Sequence, residues 1–288
     1  MFVQRPRRTR RLRAQPLIHL VPNMFTVLSL CAGLTSIRYA LDGRFELAVA
    51  LIVLAGVLDG LDGRSARLLK ITSKIGAQLD SLADFLSFGV APALLVYLWS
   101  LNQVKGAGWA LVLLFATCCA LRLARFNTEL EDPDRPAWTS RFFTGMPAPA
   151  AAGCVMIPMI MAFALQAEWP RIWALNALAT VFVALMMVSR VPTFSIKMAM
   201  LRVKPEWILP TLIFVGLLVA ALSSAPWLTL LAVGVAYLAT LPVSVVAASR
   251  LRRRHEQAKA SPADMPREAS ERVVDLGKPR SAGGREVG

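Results

Sequence analysis

Cysteine, histidine and acidic side chains are all scarce in this chain of 288 residues. It holds four cysteines and two histidines, and it has 18 acidic residues against 32 lysines and arginines. The cysteines lie in apolar stretches and lack the spacing of a zinc site or a disulfide framework, so we expect small buried side chains. His19 precedes the first apolar stretch and His255 lies in a basic run, so neither is placed like a catalyst.

Apolar residues are what the chain has in excess. They make up 56% of the sequence, and the mean hydropathy is +0.54. This composition excludes an ordinary soluble domain and favours an all-α, polytopic membrane helix bundle. About eight stretches approach the roughly 20 residues that a spanning helix requires. Because several are shorter, a core of six or seven helices is the alternative. The predicted spans are residues 24–42, 45–61, 79–100, 107–121, 148–165, 172–188, 208–223 and 227–248.

The same pattern divides the chain into three parts. Residues 1–16 form a basic segment that we expect at the membrane surface. Residues 17–250 contain all the apolar stretches and are predicted to form one membrane domain. Residues 251–288 are polar and rich in Ser, Pro, Gly and charge, a composition typical of a disordered tail.

The positive charge follows a membrane pattern rather than a nucleic-acid pattern. The net charge is +14, but no nucleic-acid recognition fold is apparent. Basic residues crowd the N-terminal segment and every second connection, whereas each intervening connection holds one: Arg44, Lys105 or Arg171. This asymmetry predicts that both termini and the connection after the second span face the cytoplasm. We therefore expect anionic lipid, and no nucleic acid, as the partner of these charges.

Two pairs of aspartates interrupt the apolar sequence, Asp59 with Asp62 and Asp80 with Asp84. Residues three or four apart share one face of an α-helix, so each pair presents two carboxylates side by side. Two such helices facing each other would gather four carboxylates, which repel unless cations lie between them. A cation transporter is one alternative. The carboxylates, however, all lie at the cytoplasmic mouth, and no acidic residues continue toward the other side, which favours chemistry over conduction.

Aspartate clusters of this kind suit phosphate chemistry. Their oxygens favour Mg²⁺ or Mn²⁺, which also bind substrate phosphates. Two ions could clamp a diphosphate and neutralise charge on the attacking and leaving oxygens. Arg67 could add a bidentate contact to phosphate, and the small residues Gly63 and Ala66 leave room for a nucleotide. One of the four carboxylates is available as the base for a hydroxyl proton. The residues therefore predict metal-dependent transfer of a phosphate-bearing group at the cytoplasmic membrane surface.

Residues 59–84 also carry a recognisable motif, DGLDGRSARLLKITSKIGAQLDSLAD. Its spacing, Asp59-x2-Asp62-Gly63-x2-Ala66-Arg67-x8-Gly76-x3-Asp80-x3-Asp84, resembles the signature of the CDP-alcohol phosphotransferase family. Members displace CMP from a CDP-linked lipid or alcohol with a second alcohol. The resemblance implies that the four aspartates bind two metal ions and that Asp84 is also the general base. It further implies contacts to the CDP-lipid from Asn23, Thr26, Gly63, Ala66, Arg67, Ser73 and Gly76.

Three flanking stretches resemble the bacterial branch of this family that uses serine: VPNMFTVLSLCAGL (21–34), ALRLARFN (120–127) and FTGMPAPAAAG (143–153). That branch implies CDP-diacylglycerol and L-serine as substrates, an inner-membrane location with a cytoplasmic active site, and a homodimer. A serine carboxylate needs a cation, so Arg122 and Arg125 are candidate contacts, together with Asn127. Anchoring by the positive-inside pattern is the alternative for both arginines. Glycerol 3-phosphate, inositol phosphate and choline are the alternative acceptors.

Local signals predict where some helices begin, end or bend. Pro22 and Asn23 are suited to the start of the first helix. The second helix is expected to end at Gly60 to Gly63, and the polar residues 64–78 to form a cytoplasmic turn. Pro158 lies inside the fifth span, where a proline should kink the helix.

Overall fold

The computed structural model of the protein describes residues 21–69, 74–131, 142–189, 192–194 and 208–241. These ranges are almost entirely helical. The α-helices are α1 (Val21–Leu41), α2 (Phe45–Leu69), α3 (Lys74–Asp84), α4 (Ala91–Trp99), α5 (Lys105–Glu131), α6 (Ala148–Val155), α7 (Ile157–Leu165), α8 (Trp173–Val188), α9 (Ile208–Ser224) and α10 (Pro226–Leu241). The predicted basic segment 1–16 and the predicted tail 251–288 lie outside the described residues.

The described part of the first helix starts at Val21, so Pro22 and Asn23 lie in its first described turn. A proline in the first turn of a helix removes no hydrogen bond that the helix would otherwise make. At its other end the chain turns sharply into α2. Gly43 adopts a positive φ of 73° there, a conformation that costs glycine nothing. The Arg44 amide donates to the Tyr39 carbonyl at 2.8 Å and closes the turn.

The second helix is longer than its sequence predicts. It continues through Gly60 and Gly63 to Leu69, so the expected end at these glycines is wrong. Of the expected turn at 64–78, only residues 70–73 separate α2 from α3, and they lie outside the described residues. An interior glycine costs a helix only about 1 kcal/mol. Packing along α1 outweighs such a cost because the two helices are in contact.

Three helices among the described residues are long and apolar enough to cross a membrane, and their spans are Asn23–Leu41, Ile75–Trp99 and Leu101–Thr128. A fourth results if α6 and α7 together form one span. The structure therefore bears out a helical fold with three or four helices that are long and apolar enough to cross a membrane. The number eight and the cytoplasmic location of both termini stay predictions. Apolar side chains of α9 such as Leu209, Phe214 and Leu217 are strongly exposed, as suits a helix surrounded by lipid.

The predicted kink in the fifth span is a break. The helix stops at Met156, and α7 leaves at an angle of 46° to α6. Pro158 lies in the first turn of α7, where its missing N–H removes a hydrogen bond to the preceding turn.

One feature departs from a purely helical fold. The three-residue strands β1 (Phe142–Thr144) and β2 (Pro192–Phe194) pair in antiparallel register, with Phe143 opposite Thr193. The ribbon joins the two connections that follow α5 and α8. Next to it, Gly145 has a φ of 81°, and a Cβ there would lie 2.5 Å from the Met187 carbonyl oxygen. Only glycine fits this turn.

The core lies among α1, α2, α4, α5, α6, α8 and the segment after α3. Ala48 and Ala55 of α2 are fully buried, and small residues of this kind let helices approach closely in a membrane protein. Among the described residues, Phe88 and Phe115 are the largest fully buried side chains. This packing brings α2, α3 and α5 together at the level of the aspartates.

Candidate active site

Three of the four predicted aspartates meet in one cluster. Asp59 projects from α2, while Asp80 and Asp84 project from the last two turns of α3. One carboxylate oxygen from each lies within 4.8 Å of the others, and all three side chains are partly buried. Two helices separated by a short connection thus supply one group of acidic ligands.

Asp62 is not part of that group. It faces α1, where it accepts a hydrogen bond from the Thr26 hydroxyl. Asp62 is 6% exposed and Thr26 is 2% exposed, so the pair is shielded from solvent. The sequence predicts a group of four carboxylates, whereas the structure groups three of them. The fourth, Asp62, faces the neighbouring helix α1 instead. A metal-binding role for Asp62 stays a prediction.

A polar face of α1 aligns the helices that carry the aspartates, and sequence reasoning missed it. Ser29 donates to the Ala55 carbonyl of α2 at 3.0 Å, and Ser87 donates to the Ser29 carbonyl at 3.2 Å. A Cβ at Gly33 would lie 2.5 Å from Ser87 Oγ. The spacing of these residues in the sequence could have revealed this polar face. Thr26, Ser29 and Gly33 are three and four residues apart and so share one face of the helix.

Arg122 lies beside the cluster. It is 8% exposed in α5, and its charge acts electrostatically on the Asp84 carboxyl. An arginine that only anchored the helix at the interface would place its guanidinium in water. Arg122 is instead a buried cation next to the acidic group. Tyr237 of α10, which sequence reasoning did not single out, also lies within reach of the Arg122 charge.

The two other predicted serine contacts have structural partners. Nη1 of Arg125 donates to the Val188 carbonyl at the end of α8, at 3.0 Å, where a cation also complements the helix dipole. Nδ2 of Asn127 donates to Ser81 Oγ at 3.0 Å and so ties α5 to α3 next to Asp80. The structure thus brings Arg122, and not Arg125, to the aspartates.

The predicted CDP-lipid contacts are spread over the first three helices. Asn23 is partly buried near the start of α1, three residues before Thr26. Gly63 is exposed on α2, and Gly76 is partly buried on α3. Ala66 and Arg67 belong to α2, but their side chains, like the whole of Ser73, lie outside the described residues.

The chemistry of the cluster fits a divalent cation. Two unscreened charges 4.8 Å apart repel by about 3 kcal/mol at an effective dielectric constant of roughly 20. Around Mg²⁺, ligand oxygens lie about 3 Å apart when adjacent and about 4 Å apart when opposite. The observed spacing thus requires only small side-chain movements to hold such an ion. Asp59, Asp80 and Asp84 are the residues that would hold it.

Comparison with known proteins agrees with this chemistry. Residues 19–194 match the CDP-alcohol phosphatidyltransferase family, and residues 206–242 match CDP-alcohol phosphatidyltransferase 2. A CDP-diacylglycerol–serine O-phosphatidyltransferase of Mycobacterium leprae is 40% identical over 247 residues, covering 85% of this chain and 79% of that protein. The enzyme of the same name from Mycobacterium bovis is 40% identical over 233 residues, 79% of each chain. That of Helicobacter pylori is 42% identical over 144 residues, 50% of this chain and 59% of its own. The chain therefore belongs to the CDP-alcohol phosphatidyltransferase family.

Proposed function

We propose that this protein transfers the phosphatidyl group of CDP-diacylglycerol to the hydroxyl of L-serine, giving phosphatidylserine and CMP. The cluster of Asp59, Asp80 and Asp84 carries the proposal, because it supplies acidic ligands and a base in one place. The names of the similar proteins support serine as the acceptor. Glycerol 3-phosphate, inositol phosphate and choline are the acceptors to exclude.

The reaction exchanges one phosphorus–oxygen bond for another. The serine hydroxyl oxygen attacks the β-phosphorus, the bond from that phosphorus to the bridging oxygen breaks, and CMP leaves with the electron pair. Two bound ions, Mg²⁺ or Mn²⁺, would supply charge neutralisation at the diphosphate. In this proposal Asp59, Asp80 and Asp84 would hold the ions, and Asp62 would contribute a further ligand from the side that faces α1.

Asp84 accepts the proton of the serine hydroxyl. Its position supports this role, since it is the last residue of α3, belongs to the acidic cluster and lies within reach of the Arg122 charge. A base must reach the hydroxyl within hydrogen-bonding distance, so the proposal requires the serine hydroxyl to bind next to the Asp84 carboxylate.

Arg122 binds the serine carboxylate in this proposal. A buried guanidinium offers a planar, bidentate contact that matches a carboxylate. Its burial at 8% exposure argues against a purely anchoring role. The contacts of Arg125 and Asn127 with Val188 and Ser81 favour a supporting role for these two residues. Asn23, Thr26, Gly63, Ala66, Arg67, Ser73 and Gly76 are assigned to the CDP-lipid by resemblance.

The remaining assignments concern the setting of the site. We place the protein in the inner membrane as a homodimer, with about eight spans and both termini in the cytoplasm. The basic residues that crowd alternate connections support this orientation. It puts the aspartates on the side where free serine is available.

The test is release of CMP by the purified protein. CDP-diacylglycerol, labelled serine and Mn²⁺ or Mg²⁺ should give CMP and labelled lipid in equal amounts. The other three alcohols, added as competitors, should give little product. The variant Asp84→Asn should lose activity by about 10² to 10⁴-fold, since an amide cannot take the proton. Asp42→Asn, in the exposed turn after α1, is the matched control and should keep full activity. An absence of CMP from the wild-type protein refutes the proposal.

A further inference from the structure

A π-helical segment, Phe85–Val90, directly follows Asp84. The Ala91 amide donates to the Leu86 carbonyl, which is the i→i+5 pattern of a π-helix. In an α-helix, residues five apart would point about 140° away from each other. The wider π turn instead brings Asp84 and Gly89 toward the same side of the segment. Short π segments of this kind recur at functional sites.

Gly89 touches α5 with its backbone. A Cβ at this position would lie 2.9 Å from Cys119 Sγ, 3.1 Å from Cys119 Cβ and 3.3 Å from Phe85 Cδ2. Gly89 and Cys119 are both buried, and Cys119 is fully inaccessible. Packed interiors do not absorb an extra methyl group without a shift of the backbone. The absence of a side chain at Gly89 therefore sets how closely the π segment approaches α5.

The same two segments carry Asp84 and Arg122. Cys119 and Arg122 are three residues apart in α5 and share one face of that helix. The charge of Arg122 acts on both Asp84 and Cys119. The Gly89–Cys119 contact thus joins the two segments that carry Asp84 and Arg122, and these segments pack against each other. A change of spacing at this contact is expected to change the distance between the two charged side chains.

We propose that Gly89 and Cys119 are positioning residues whose contact sets the distance between the Asp84 carboxylate and the Arg122 guanidinium. The inference rests on the proposed function, in which Asp84 accepts a proton and Arg122 binds serine. Neither Gly89 nor Cys119 touches substrate in this scheme. They act through the two charged residues.

The experiment adds a group on one side of the contact and removes one from the other. Gly89→Ala adds a methyl group to the π segment, and Cys119→Gly removes from α5 the Cβ and Sγ atoms that this methyl group would meet. Each single variant should lower kcat at least tenfold, since displacements near 1 Å can cost about a hundredfold. The double variant Gly89→Ala/Cys119→Gly should recover activity above both single variants. Gly153→Ala in α6, where a Cβ meets nothing within 4 Å, is the control and should match wild type.

A double-mutant cycle with Arg122 separates positioning from general loss of packing. If Gly89→Ala acts by displacing Arg122, it should cost little further activity in an Arg122→Gln background. Thermal unfolding of each variant in detergent shows whether the protein is folded. If Gly89→Ala does not fold, Cys119→Gly and the double variant make the same comparison.

The outcomes are distinct. The inference is refuted if the double variant is no more active than the product of the two single effects predicts. It is also refuted if Gly89→Ala is fully active, or if the effects of Gly89→Ala and Arg122→Gln are fully additive. The inference is supported if the double variant recovers activity and the effects of Gly89→Ala and Arg122→Gln are not additive. A wild-type protein that releases no CMP refutes the proposed function and this inference with it. An active wild type with an unaffected Gly89→Ala refutes the inference alone.

Discussion

Replacing Thr26 with valine should impair catalysis by removing a single hydrogen bond. The Thr26 hydroxyl is the donor that holds the Asp62 carboxylate of α2 against α1. Valine has nearly the same shape as threonine and the same branching at Cβ, so the packing of α1 is kept. The change therefore removes the donor and leaves the remaining geometry intact.

The size of the effect follows from burial. Thr26 is 2% exposed and Asp62 is 6% exposed, so water cannot readily replace the lost donor. Removing one partner of a buried hydrogen bond costs about 1 to 3 kcal/mol. If Asp62 must be held in place for turnover, kcat should fall by roughly 5 to 150-fold, at about 1.4 kcal/mol for each factor of ten.

The assay is CMP release at varied CDP-diacylglycerol and varied Mn²⁺. Thr26→Ser keeps the hydroxyl and is the matched control, and it should retain most of the activity. A role through Asp62 also predicts that Thr26→Val has little further effect in an Asp62→Asn background. A direct contact between Thr26 and the CDP group, which the family resemblance implies, predicts instead a raised KM for CDP-diacylglycerol.

Two results would refute the reasoning. One is a Thr26→Val enzyme with wild-type kcat, which would mean that the hydrogen bond does not matter for turnover. The other is a Thr26→Ser enzyme as impaired as Thr26→Val, which would place the effect on the lost methyl group. In either case the hydrogen bond from Thr26 of α1 would not be what positions the Asp62 carboxylate for turnover.

Two further predictions concern the ligands and the packing. Asp59→Asn and Asp80→Asn should each raise the Mg²⁺ or Mn²⁺ concentration needed for half-maximal activity by tenfold or more, because a neutral amide replaces a charged ligand; an unchanged requirement would exclude them as ligands. Asn176→Ala should lower the free energy of unfolding by about 2 to 4 kcal/mol, since it leaves a cavity and unpaired polar groups. Asn176 is fully buried and donates to the Pro170 and Ile172 carbonyls at 2.9 and 3.0 Å. Thermal unfolding in detergent measures this loss, with exposed Leu178→Ala on the same helix as the control, and equal melting temperatures would contradict the prediction.

Several features were predictable because they depend on neighbouring residues along the chain. The apolar composition predicts membrane helices, since lipid requires apolar side chains over a long stretch. The spacing of Asp80 and Asp84 places both on one helix face, and the structure has both in α3. The break before Pro158 follows from the missing backbone donor.

Other features were not predictable because they depend on which helices pack together. α2 runs past Gly60 and Gly63, since contact with α1 offsets the weak helix propensity of glycine. The π turn after Asp84 is not visible in any residue pattern. Arg122 and Arg125 look equivalent in the sequence, yet one lies beside Asp84 and the other caps α8.

The sequence alone determined that the chain is a membrane helix bundle with paired carboxylates, since solvation and helix periodicity act over a few consecutive residues. Only the tertiary structure decided that Asp59, Asp80 and Asp84 meet while Asp62 turns to Thr26, 36 residues earlier in the chain. That choice depends on the approach of α1, α2 and α3, which is set by contacts between residues far apart in sequence. The physical reason is that side chains on one helix face can reach different neighbours, and packing selects among them.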